Sequence, residues 1–146
     1  MPDPHMSVTD PSQGENETAR RMFEADRASK NLGMRLVEAG HGTATVEMTV
    51  GALMVNGHGI AHGGFVFSLA DTAFACACNV DGRGITVASG ADVTFVSPAE
   101  EGDVLVATAT ERVVRGRSGV YDVTVRRGED VVAEFRGRSR TLPSRE

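Results

Sequence analysis

The chain has 146 residues, 40% of them hydrophobic and 24% charged, with a formal net charge of -5 at pH 7. That length predicts one folded domain, the acidic balance argues against a nucleic-acid surface, and no apolar run reaches the length of a membrane span. The N-terminus lacks the basic and apolar blocks of a secretory signal, and the two cysteines, Cys76 and Cys78, sit inside one apolar segment as expected of reduced thiols in the cytoplasm.

Residues 1–16 carry Pro2, Pro4 and Pro11 among few apolar residues and read as a disordered tail, leaving 17–146 as the folded domain. From Glu17 to Lys30 the partial stripe of Met22, Phe23, Ala25 and Ala28 predicts a short helix, ended by Asn31-Leu32-Gly33. Strands are expected at Met34 to Ala39 and Thr43 to Val50. A glycine-rich loop, Asn56-Gly57-His58-Gly59-Ile60-Ala61, leads into a long apolar helix from His62 to Asn79. Because that helix is apolar on nearly every face, it should be buried. Beyond the turn Asp81-Gly82-Arg83-Gly84, strands follow at Ile85 to Val96, Val104 to Val114, Val120 to Arg126 and Val131 to Thr141. Short turns at Gly116-Arg117-Ser118-Gly119 and Arg127-Gly128-Glu129-Asp130 make the last three a meander. The expectation is an α+β fold, a curled antiparallel sheet wrapped around one helix.

Asp71 is the only carboxylate in the segment Phe65 to Cys78. A carboxylate buried without a partner is costly, and such positions are often chemical. Ahead of it His62-Gly63-Gly64 opens the helix, where bare N–H groups can hold an oxyanion. Gly63 or Gly64 would then polarise an acyl carbonyl, and Asp71 would activate water or attack the acyl carbon itself. The two lie eight residues apart, about 12 Å along one helix. Both can serve one site only if Asp71 comes from a second copy of the chain, so the spacing predicts a homodimer with two composite sites.

The supporting residues admit two readings each. His62 either caps the helix or donates toward the reacting group. Asn56 either shapes a turn or orients water across the interface. Ser89, beside Gly90, is either an ordinary strand serine or a hydroxyl facing the helix and holding water. Arg115, Arg117 and the alternating Arg136, Arg138 and Arg140 form either a solvated basic edge or a patch for phosphates. Phe67, Phe74 and Met54 are candidates for an acyl pocket at the dimer seam, or plain core. The four histidines form no ligand pattern, and no metal site is expected.

The run from Asn56 through His62-Gly63-Gly64 to Asp71-Thr72-Ala73 resembles the hotdog-fold acyl-CoA thioesterases, in the phenylacetic-acid catabolism branch. Phe95-Val96-Ser97-Pro98, Gly102-Asp103 and Gly119-Val120-Tyr121-Asp122 extend the likeness from Phe23 to Thr141. The resemblance implies Gly63 as oxyanion amide, Asp71 as catalytic carboxylate acting across the dimer, and Asn56 and His62 as loop residues around the thioester and water. Gly64 and Ser89 join them as positioning residues. The Arg117-Ser118 turn is implied as a coenzyme A contact region, joined from the basic patch by Gly116 and Arg138, with no cofactor beyond the coenzyme A of the substrate. It further implies dimers paired into a homotetramer, phenylacetyl- or hydroxyphenylacetyl-CoA as substrate, and neither nucleic-acid nor membrane partners. A sister branch acting on hydroxybenzoyl-CoA places a hydroxyl residue four positions after its carboxylate, where Ala75 stands here, so Asn56 or Ser89 would have to hold the water. The other readings on the same scaffold are a dehydratase and a non-catalytic acyl-CoA-binding regulator.

Overall fold

An asparagine anchors the first helix to the rest of the protein. In the computed structural model, which describes residues 14–144, the Asn16 side chain accepts from the Ala19 N–H and donates to the Asn79 carbonyl at 2.8 Å. Asn16 is fully buried, so the folded part begins earlier than the expected boundary at 17. The remainder of the expected tail, residues 1–13, lies outside the described residues. The single helix expected from Glu17 to Lys30 is instead two, α1 (Glu17–Glu24) and α2 (Arg27–Asn31). Asp26 breaks it: its backbone is extended, and its carboxylate accepts from Ser29 N–H to start a new helix.

There follow β1 (Arg35–Ala39), β2 (Thr43–Thr49), a 3-10 turn (Ala52–Met54), α3 (Gly63–Cys78), β3 (Thr86–Phe95), β4 (Val104–Arg115), β5 (Ser118–Arg127) and β6 (Asp130–Thr141). The six strands form one antiparallel sheet in the order β1-β2-β4-β5-β6-β3. The meander β4-β5-β6 turns at Gly116 and Gly128, whose φ of 60° and 59° suit glycine. The expected α+β fold stands, with the strand ends within two residues of those expected.

Alternation decides which face of the sheet is covered. Ala44, Val46, Met48, Leu105, Ala107, Ala109, Tyr121, Val123, Val125, Ala133 and Phe135 are buried toward α3. Small side chains on both sides, Ala70, Ala73 and Ala77 on the helix and Ala107 and Ala109 on the strand, let the helix lie close to the sheet. Gly137 takes this furthest, since a Cβ there would stand 2.7 Å from the Phe74 ring. Phe74 fills that space against Tyr121 and Phe135, with ring centroids 5.5 and 5.8 Å away. At the far end Asn79 holds α3 to β3 through two hydrogen bonds of 2.9 Å with the Thr86 backbone.

Two features are left unsatisfied within one chain. The helix was expected to be buried all round, yet Gly64, Phe65, Ser68, Asp71, Thr72 and Ala75 stay partly open. The sheet covers the opposite side of α3, and the described residues leave this stripe incompletely covered. Likewise β3, ten residues long, pairs only with β6 among the described residues and leaves its other edge bare, with Val87 and Phe95 exposed. Among the described residues no helix is long and apolar enough to cross a membrane.

Candidate active site

The loop before α3 is built by its own asparagine. Asn56 Oδ1 accepts from the N–H groups of His58 at 2.9 Å and Ile60 at 3.3 Å, and the Asn56 N–H donates to the Ile60 carbonyl at 2.8 Å. Both readings of Asn56 are thus compatible: Oδ1 shapes the turn, while Nδ2 has no partner among the described residues. The loop is tied down on both sides, by Ala61 N–H to the Ala99 carbonyl and His62 N–H to the Met54 carbonyl, each 2.7 Å.

His62 then caps α3 with its ring. Its Nδ1 accepts from the Gly64 N–H at 2.9 Å. An accepting Nδ1 carries no proton, so the hydrogen of the neutral ring is on Nε2, which is left as a donor. The cap reading and the donor reading of His62 therefore describe two sides of one ring. The same bond separates the two glycines. Gly64 N–H is engaged, and the next two amides, Phe65 and Val66, both donate to the His62 carbonyl. Gly63 N–H finds no acceptor among the described residues. At the positive end of a 16-residue helix, it is the amide free to bind an oxyanion.

Gly63 and Asn56 open into one groove of about 530 Å³, whose other walls include Ile60, Val66, Phe95, Val96 and Val132. The Phe95 ring lies over Gly63, where a Cβ would be 2.9 Å from its Cζ. Phe95 is 53% exposed, a large aromatic at the mouth of the site. None of these apolar residues was named as a site residue from the sequence, although Phe95 and Val96 stand in a run that carries the resemblance. The available signal was Phe95 itself, the last residue of a strand next to Ser97-Pro98.

Asp71 does not line this groove. It is partly buried, with no hydrogen-bond or ion-pair partner among the described residues. Burial, and then the charge of Asp26, push its carboxyl above the usual carboxylate range. Helix geometry keeps it about 12 Å from Gly63 within one chain.

Ser89 is not turned toward the helix. It occupies a bulge in β3 between Ala88 and Gly90, and its hydroxyl donates to the Arg138 carbonyl at 3.2 Å. With Arg115, Ser118 and Arg138 it lines a second groove of about 290 Å³. Six residues separate Ser89 from Phe95, roughly 20 Å along a strand, so one chain does not bring Ser89 to Gly63. Arg138 lies across Gly90 and pairs with Asp92 at 2.7 Å. Arg136 is held by Asp122 through two bonds of 2.7 and 2.9 Å. The patch expected from alternating arginines is thus partly neutralised. Arg115, Arg117 and Arg140 pair with no carboxylate among the described residues. Gly116 and Arg117 form the β4-β5 turn at the rim of this region and do not line the groove.

Of the two readings of the acyl-pocket candidates, burial favours the core for two of the three. Phe74 and Met54 are core. Phe67 is half-buried, with its ring edge-on to Phe135 at 5.3 Å. Among the described residues no three His, Cys, Asp or Glu side chains gather as a metal-binding group.

Comparison with known proteins agrees with this geometry. Residues 58–134 match the thioesterase superfamily. The acyl-coenzyme A thioesterase PaaI of Escherichia coli K12 is 45% identical over 127 residues, covering 86% of this chain and 90% of that protein. The structure of the E. coli PaaI protein from the phenylacetic acid degradation operon superposes with a TM-score of 0.84 at 43% identity, over 88% of this chain and 93% of that one. A mutant structure of the phenylacetic acid degradation protein PaaI from Thermus thermophilus gives 0.77 at 35% identity, over 80% and 100%. With its sheet, its central helix and these likenesses, the chain belongs to the hotdog-fold thioesterase superfamily, on the branch of the E. coli enzyme PaaI.

Proposed function

We propose that this protein hydrolyses arylacetyl-coenzyme A thioesters, phenylacetyl-CoA or its hydroxyphenyl relatives, to the free acid and coenzyme A in aromatic catabolism in the cytoplasm. The observation that carries the reading is the Gly63 N–H at the start of α3, without an acceptor among the described residues and opening into an apolar groove. The groove has the size of a small-ligand site, and its walls of Ile60, Val66, Phe95, Val96 and Val132 suit an uncharged ring. The names of the PaaI relatives support the same substrate class.

The site is completed by a second copy of the chain. Two β3 edges paired antiparallel about the middle of the strand would close both bare edges at once. They would also turn the open stripe of one α3 toward the other. The partner subunit's Asp71 then approaches Gly63, and the Ser89–Arg138 groove of one chain comes alongside the Gly63–Phe95 groove of the other. In the reaction, Gly63 N–H and the helix dipole hold the thioester carbonyl oxygen. Asp71 takes one proton from water as the water oxygen bonds to the acyl carbon. Collapse of the tetrahedral intermediate breaks the C–S bond, and the proton leaves on the coenzyme A sulfur. The Asn56 Nδ2 and His62 Nε2 donors stand at the same end of α3 for the acyl oxygen or the water. The cations Arg115, Arg117 and Arg138 serve the coenzyme A phosphates. No other cofactor or metal takes part, and dimers pair into a tetramer.

The test is release of free thiol from phenylacetyl-, hydroxyphenylacetyl-, hydroxybenzoyl- and straight-chain acyl-CoA, for the wild type and Asp71→Asn. Turnover that favours arylacetyl esters and falls at least about a hundredfold in the variant is expected. Saturable acyl-CoA binding without turnover in the wild type would replace the enzyme by a binding protein.

A further inference from the structure

We propose that Asp26, acting through Ser29 and Thr72, is a positioning residue for the lytic water at Asp71: it fixes the direction of the Thr72 hydroxyl beside the base. The inference rests on the reading of Asp71 as the base. It comes from counting protons along a chain of hydrogen bonds that joins α2 to α3.

Asp26 Oδ1 accepts from Ser29 N–H at 2.9 Å, and Oδ2 accepts from the Ser29 hydroxyl at 2.6 Å. An ionised carboxylate only accepts. Ser29 has one hydroxyl proton, and Asp26 holds it. Ser29 Oγ also lies 2.8 Å from Thr72 Oγ1. With no proton left on Ser29, Thr72 must be the donor in that contact. The Thr72 hydroxyl then has only lone pairs to offer on its open side. Ser29 is buried, at 3% exposure, which protects the chain from water.

Thr72 follows Asp71 directly, and both belong to the partly open stripe of α3. A lytic water has two protons. Asp71 takes the one that is transferred, and the other needs an acceptor if the oxygen lone pair is to face the acyl carbon. The Thr72 oxygen, directed by Ser29, is such an acceptor. This assigns a hydroxyl to the water where Ala75 supplies none and where the Ser89 proton is given to the Arg138 carbonyl.

Charge acts in the same direction. After burial, the Asp26 carboxylate adds to the upward shift of the Asp71 carboxyl. Arg83 reaches Cys78 and Tyr121 further along, not Asp71. The sheet presents Val46, Met48, Leu105, Val123 and Phe135 to the helix, with Tyr121 as its titratable member, and α1 presents Ala19 and Phe23. On α3 itself the other titratable groups are the thiols Cys76 and Cys78.

Asp26→Asn separates this role from a structural one. Asparagine caps a helix as well as aspartate does, so α2 should survive. The charge is lost, and the Asn Nδ2 donates to Ser29, whose proton then turns to Thr72 and reverses the chain. We expect the acid limb of the kcat/KM profile to move to lower pH and kcat to fall about tenfold, with KM for phenylacetyl-CoA and the melting temperature unchanged. Ser29→Ala and Thr72→Val should lower kcat and leave the acid limb in place, and Thr72→Ser should restore it. Wild-type kcat and an unmoved limb in Asp26→Asn, while Asp71→Asn is inactive, would overturn this inference and leave the base assignment standing. Full turnover by Asp71→Asn would overturn both.

Discussion

Removing the Phe74 ring should unfold the protein more readily without changing what it binds. The ring is nearly fully buried and is clamped between Tyr121, Phe135 and the bare backbone of Gly137. Phe74→Ala should cost about 3–5 kcal/mol, counting lost burial and the cavity left behind. Against a total stability of about 5–15 kcal/mol, that is a loss of roughly 10–20 °C in melting temperature. Gly137→Ala attacks the same contact from the other side. Its Cβ would sit 2.7 to 2.8 Å from three ring atoms, and the forced shift should cost about 1–3 kcal/mol. In the double variant the new methyl group falls into the space the ring has left, so the costs should not add. We expect the double variant to be more stable than the sum of the two by about 1–2 kcal/mol. Urea unfolding at one fixed protein concentration, followed by circular dichroism and fluorescence, measures all four corners of the cycle. Strict additivity would refute the packing argument. So would a Phe74→Ala variant that loses little stability but changes its acyl preference, because the ring would then face ligand.

Asp71→Asn should raise stability at neutral pH by about 1 kcal/mol, since it removes a partly buried charge with no partner among the described residues. The native carboxyl is harder to ionise than the unfolded one, so its penalty is full above the raised pKa and gone below the unfolded value. The advantage of the variant should therefore vanish as pH falls through that interval, and a gain independent of pH would show that charge is not the cause. Asn56→Asp keeps the oxygen that accepts from His58 and Ile60 and loses the free Nδ2 donor. It should melt close to wild type with a tenfold or greater loss of kcat, whereas Asn56→Ala should lose about 1–2 kcal/mol as well; equal melting of the two variants would contradict the assigned bonds. Burial pushes both Cys76 and Cys78 up to about 12, so a thiol reagent at pH 8 should label them only as fast as the protein opens. Rapid labelling of the native protein would contradict that burial.

The sheet was legible because alternation is a local property. In β5, Tyr121, Val123 and Val125 face the helix while Asp122 and Thr124 face away, a pattern visible in the bare sequence. Turn glycines marked the hairpins for the same reason. What periodicity did not show were choices of hydrogen-bond and ion-pair partner, near and far. Asp26 splits the first helix because its carboxylate takes the Ser29 amide, and no periodicity signals that. The arginines of β6 share a face as expected, but Asp122 and Asp92, from two different strands, decide that Arg136 and Arg138 are paired. Of the two readings of Ser89, a bulge that depends on the register with β6 favours the strand serine, which lines the other groove.

The site shows the same division between spacing and hydrogen-bond partners. Spacing alone placed Gly63 and Asp71 about 12 Å apart and called for a second chain. Two consecutive glycines, however, look equivalent in a sequence. They become different only when the His62 ring folds back onto Gly64 and leaves Gly63 unengaged. Gly63 also answers to a second demand, since the Phe95 ring occupies the place of its side chain. A Gly63→Ala variant therefore disturbs packing and catalysis together and cannot distinguish them. His62→Asn can, because an asparagine oxygen also caps a helix but carries no Nε2 donor. Retained folding with a loss of kcat in that variant would assign the ring a part in the reaction beyond capping, and unchanged kcat would reduce His62 to the cap that leaves Gly63 as the free amide.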